Sequence, residues 1–162
     1  MIEITKSPNA DSRTSKDELT VDELRKSTES HIKDVSKGLG FIAELIQSRC
    51  PFHDHTKIDM MDEFYAALTS GKIKETNWYQ KHITEERHHL KSYVHNDITL
   101  VDVIEHVVDC TMAGLARSGD VYDIDLSPDV LVLAVNNTVE LLKKNTHVVT
   151  EEVDVLDQEI DS

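Results

Sequence analysis

Apolar residues recur at three- and four-residue steps through five stretches of this chain, and that spacing predicts five helices. The first opens at Thr20, an N-cap residue followed by acids, and carries Leu24, Thr28, His31, Val35, Leu39, Ile42 and Leu45 or Ile46 on one face. Gly38 and Gly40 weaken its middle, and it must end before Pro51, because the residue preceding a proline avoids helical geometry. The second, from about Asp54 to Thr69, turns Ile58, Met61, Phe64, Tyr65 and Leu68 inward and stops at Gly71. The third, from about Thr76 to Tyr93, places Trp78, His82, Glu85 or Glu86, His89 and Tyr93 on one face, with His88 rotated by about 100°. The fourth runs from Thr99 to about Arg117 and closes at Ser118-Gly119. The fifth opens with Ser127-Pro128-Asp129, an N-cap followed by proline in the first helical position, and reaches about Asn145.

The ends lack this periodicity. Residues 1–18 are rich in Ser, Thr, Lys and Asp and read as a mobile arm. Residues 148–162 hold six acids and no Lys or Arg; they read as a solvated acidic tail, against a short strand that Val148-Val149 and Val153-Asp154-Val155 would allow. Residues 19–147 are then a single all-α bundle of about five main helices. Gly and Pro total only eight, which fits helices better than a sheet-rich fold.

Charge and cysteine content narrow the function. A formal charge of −14 argues against binding a nucleic-acid backbone, yet leaves small phosphorylated ligands open where a metal ion supplies local positive charge. Cys50 and Cys110 are too few and too far apart for a disulfide framework or a Cys-rich zinc site. No run approaches a membrane-spanning length, and the first residues open no apolar signal segment. A cytoplasmic protein is expected, with no membrane contact, its gene supplied by a host cell or a virus.

The chemistry lies in histidines and acids. His53-Asp54 follows the Cys50-Pro51-Phe52 turn, with Lys57 one helical turn on, able to meet a phosphate as a point charge; as a dipeptide alone, the pair reads equally as a helix cap. His31 shares a face with Leu24, Val35 and Ile42, where a lone histidine is ordinarily a satisfied core residue. Asp109 sits in the apolar run Val103 to Met112, where an unpaired charge is costly. Asp102, His106 and Asp109 form one polar stripe there, which is either a ligand face or a solvated one. His82 and His89 can extend a mononuclear site to two ions, and Glu85 or Glu86 can orient a water or protonate a leaving group. Arg87 is an anion clamp or an ion-pair partner of Glu85 or a neighbour. His55 is expected to point away. Imidazole and carboxylate ligands suit Mn, Co, Zn, Mg or Fe.

His31, His53-Asp54 with Lys57, and Asp109 together resemble the H…HD…D signature of the HD-domain superfamily of metal-dependent phosphohydrolases, in its HD-x-x-K form. Trp78, His82, Arg87-His88-His89 and Asp102-x-x-Glu105-x-x-x-Asp109 further resemble a small branch found in phages and bacteria. The resemblance spans roughly residues 26–145. It implies an HD-like helical fold, a divalent ion held by His31, His53, Asp54 and Asp109, and hydrolysis of a nucleotide or related phosphomonoester by a metal-activated water. The catalytic set is then Lys57, Glu85, Glu86 and Arg87; the metal set is His31, His53, Asp54, His82, His89 and Asp109, for one or two ions. Two other functions fit the same scaffold: a diiron oxygenase, and a non-catalytic binding or regulatory protein. A homodimer and a host-protein partner are both compatible with the acidic tail and arm.

Overall fold

A computed structural model describes residues 1–7, 20–121 and 123–150. It is all-α, with five main helices and one small sheet. The elements are β1 (Ile2–Lys6), α1 (Val21–Arg49), α2 (His55–Asp59), α3 (Met61–Thr69), α4 (Asn77–Glu85), α5 (Leu100–Ser118), α6 (Pro128–Asn145) and β2 (Thr146–Thr150). No helix among the described residues is long and apolar enough to cross a membrane. The described residues form two compact units, one within 1–41 and 145–150, the other within 42–144.

In the first unit β1 and β2 pair in parallel, Ile2 opposite Thr146 through Lys6 opposite Thr150. Strands therefore occupy part of the stretch expected as a mobile arm and the start of the one expected as an acidic tail. The rest of both, 8–19 and 151–162, lies outside the described residues. α1 starts where its capping signal stands: Glu23 accepts from the Thr20 backbone N–H at 2.9 Å, and Thr20 Oγ1 accepts from the Glu23 N–H at 3.3 Å. Lys37 donates to the Glu3 carbonyl and to Asp34. The expected inward face of α1 is not buried in this half: Leu24, Val35, Leu39 and His31 are exposed, and Ser27 is the buried residue.

In the second unit α5 and α6 carry the core. Leu90, Ile98, Val103 and Ala134 are buried together, with Leu100, Leu126, Val130 and Leu133 packed against them. Polar bonds fix the pair: Thr138 Oγ1 accepts from the Leu100 N–H, and the Asn137 amide donates to the Asn96 and Ile98 carbonyls. Thr99 and Asp102 make a capping box at the start of α5, and Gly119, at φ 73°, ends it in the left-handed conformation. Gly114 is required by packing, since a Cβ there would lie 2.7 Å from the Asp120 carbonyl oxygen.

Two expected helices are divided or shortened. The 54–69 stretch breaks at Met60 into α2 and α3, with Ile58, Met61, Tyr65 and Leu68 exposed and Ala67 buried instead. The helix expected over 76–93 ends at Glu85; Glu86 turns extended, at φ −83° and ψ 99°, and 86–93 is a turn region.

Candidate metal centre

The turn between α1 and α2, the end of α4 with its following turn, and the polar face of α5 all contribute to one cluster inside the second unit. The Pro51-containing 3₁₀ turn (Cys50–Phe52) closes α1 and delivers His53 and Asp54. Asp54 has φ 55°, the one non-glycine residue with positive φ among those described. A left-handed backbone costs an ordinary residue roughly 1–2 kcal/mol, and such outliers gather at functional sites.

Four overlapping ligand sets, each with its atoms within 4.8 Å of one another, occur among the described residues: His53–His88–Glu105, Asp54–His88–His89, His53–Asp54–Asp109 and Asp54–His82–Glu86. Asp54 belongs to three of them. Its Oδ1 is buried without a hydrogen-bond partner, 3.6 Å from His82 Nε2 and 3.7 Å from His88 Nε2. His53 Nε2 is 3.6 Å from both Asp54 Oδ2 and Asp109 Oδ1. These gaps are too long for hydrogen bonds. They match two ligands on one ion, because donors about 2.1 Å from a tetrahedral metal lie roughly 3.4 Å apart. His82 Nε2 and His89 Nε2, 2.8 Å apart, can share either a proton or an ion.

The far nitrogens of these rings are held by acceptors. Thr56 Oγ1 lies 2.7 Å from both Glu86 Oε1 and His82 Nδ1. The carboxylate can only accept, so the hydroxyl donates to it and receives the His82 Nδ1–H, which leaves Nε2 unprotonated beside His89 Nε2 and Asp54 Oδ1. His53 Nδ1 donates to Glu105 Oε1 at 3.1 Å, freeing its Nε2 in the same way. His88 Nδ1 is 3.2 Å from that same oxygen, too poorly aligned for a hydrogen bond, and the ring is 1% exposed. An imidazole with one nitrogen on a carboxylate or hydroxyl and the other aimed at a common point is the arrangement found around metal-bound histidines.

Burial, aided by the neighbouring imidazoles, pushes His89 down to about 4. Burial also lowers His82, against the pull of Asp54. Both rings are then neutral near pH 7, the form that binds metal. Burial opposes charge on His88 as well, but Glu105, Asp54 and Asp109 outweigh it and raise its pKa. Asp54 and Glu105 are held below the usual carboxylate range: burial works against each charge, but Lys57 prevails at Asp54, and His88 and His53 at Glu105.

The structure thus brings together His53, Asp54, His82, His89, Asp109 and Glu86 from the expected set, with Lys57 bonded to Asp54 Oδ2. Glu85 and Arg87 are engaged elsewhere. His31 is exposed on α1, in the first unit. Glu85 is exposed, 3.7 Å from Lys81. Arg87 is committed to Asp102 (2.8 Å) and Asp97 (3.0 Å), not to Glu85. Asp102, fully buried, caps α5 and also binds Arg49, so it is a structural acid. His55 faces Glu86 and the Phe52 carbonyl. His88, which a continuous helix would rotate about 100° from the His82–His89 face, belongs to two of the sets, because the helix has already ended at Glu85. His106 Nδ1 donates to the His88 carbonyl at 2.8 Å and steadies that turn. Glu105 and Thr56 were not singled out as site residues; Glu105 sits one helical turn before Asp109, which was the available signal.

No family model, curated protein or solved structure matches this chain.

Proposed function

We propose that the chain is a divalent-metal-dependent phosphohydrolase of small phosphomonoesters, of the HD type that its sequence resembles. The observation that carries the reading is the orphaned Asp54 Oδ1, faced by His82 Nε2, whose ring is held at Nδ1 by Thr56, and by the unpartnered His88 Nε2. Of the five buried side-chain polar atoms without a hydrogen-bond partner among the described residues, three are Asp54 Oδ1 and the two His88 nitrogens. Buried polar atoms are rarely left so, and an ion is the partner this donor set fits.

His53, Asp54, His82, His88, His89 and Asp109 would hold the ion or ions, with Asp54 shared between overlapping sets. When bound, a divalent ion supplies Lewis acidity and a water acidified toward neutral pH. Lys57, already against Asp54, places a positive charge where phosphoryl oxygens gather negative charge. In the net reaction the P–O bond to the alcohol breaks, a P–O bond to water forms, and one water proton ends on the alcohol.

Element analysis of freshly purified protein, with a phosphate-release screen over phosphomonoesters, tests the reading. Asp54→Ala should abolish both metal content and activity while helicity by circular dichroism persists; full phosphatase activity in that variant sinks it. The overlapping ligand sets, with four histidines, also suit two irons. Anaerobic iron loading that gives a two-iron absorption spectrum and no phosphate release would favour a diiron oxygenase instead.

A further inference from the structure

A cleft of about 310 Å³ lies between the end of α1 and one face of α5, inside the second unit. Ile46, Val101, Ile104, Val108 and Met112 give it apolar walls, and His53, Glu105 and Asp109 belong both to its lining and to the metal-ligand cluster. A molecule with its reacting end at the cluster therefore has this cleft open beside it, of a size common for small-molecule sites.

Arg49 and Glu105 are paired within the protein, and His53 and Asp109 are the groups that would hold the ion. Arg49 binds Asp102 at 2.6 Å and Glu105 at 3.5 Å; Glu105 holds His53 and faces His88. No Phe, Tyr or Trp lines the cleft, and the His53 ring packs against His88 with centroids 4.5 Å apart. A nucleobase would find no stacking platform and would leave its hydrogen-bonding edge unpaired, which is costly. An alkyl chain meets no such penalty.

We infer that the cleft takes the apolar alcohol portion of the substrate, and that the substrate is a phosphomonoester of an aliphatic alcohol in preference to a nucleotide. The substrate class rests on the phosphohydrolase reading; the apolar occupant rests on the cleft.

The test uses the full chain with methyl-labelled methionine, following the Met112 methyl resonance. With metal-loaded protein and n-alkyl phosphates of two to eight carbons, affinity should tighten about fourfold per methylene until the cleft is filled. The Met112 signal should shift on saturation, and hexyl phosphate should outbind adenosine monophosphate. Ile46→Asp should flatten the series with metal content per chain unchanged; should that variant not fold, the wild-type series decides. Affinity independent of chain length, or a nucleotide that binds more tightly than hexyl phosphate and shifts Met112, overturns the inference. Hexanol added to metal-free protein separates the two ideas. A saturable Met112 shift there supports the apolar occupant even if no metal binds and no phosphate is released, and its absence overturns it.

Discussion

Asp54 gathers most of what is unusual at the level of single residues: a left-handed backbone, a buried oxygen without a partner, and imidazoles on both sides. The residues that aim those imidazoles are as informative as the ligands. Glu105 holds His53 and faces His88, and Thr56 links His82 to Glu86. Glu105→Gln removes the charge of the acceptor and Thr56→Val removes the acceptor hydroxyl, both while keeping shape, so each should weaken metal binding about 10–100-fold with folding intact. Competition with a chromophoric chelator measures this. Wild-type affinity in both variants would mean that these contacts do not orient the rings.

At the scale of elements, α5 serves two purposes with one polar stripe. Its first turn is closed by Thr99 and Asp102, and Asp102 also anchors Arg49 from α1 and Arg87 from the turn after α4. One helical turn on, Glu105 begins the metal-facing part. Thr99→Ala removes only the cap and should cost about 1 kcal/mol in urea unfolding. Asp102→Ala also leaves two arginines without their buried partner; since both keep some solvent access, about 3 kcal/mol is expected, the low end for a broken buried pair. Equal losses in the two variants would show that the arginine contacts add nothing. The turn after α4 is equally decisive: Glu86 leaves the helix to accept from the Thr56 N–H and hydroxyl, and this is what allows His88 and His89 to enter the cluster side by side.

For the whole molecule, the excess of acids sets the response to pH and salt. Asp102 is held below the usual carboxylate value because Arg87, the Thr99 N–H and Arg49 together outweigh burial. A depressed folded pKa contributes stability that is present above the unfolded value, near 4, and lost as pH falls through the folded value. The metal-free protein should therefore hold its urea midpoint from pH 7 to about 5 and lose it progressively below 4. Asp102→Ala should lose less on acidification. At pH 7 the charge of −14 repels itself, so raising sodium chloride from 0.05 to 0.5 M should raise the midpoint. A fall with salt would mean that exposed ion pairs outweigh this repulsion.

Local signals in the sequence determined the helical class, the starts of α1, α4, α5 and α6, and most residues of the cluster. Capping at Thr20, Thr76 and Thr99, and proline after Ser127, act over three or four residues and need no partner from elsewhere. Which face each helix buries was decided by the tertiary structure. In α5 the polar stripe of Asp102 and His106 turned inward while Val108 and Met112 stayed exposed, because the arginines and histidines that satisfy it come from distant segments. The end of α4 was decided the same way: no Gly or Pro marks it, and Glu86 leaves the helix for a hydroxyl thirty residues away. The β1–β2 pair joins the two ends of the chain, a pairing that no local pattern encodes.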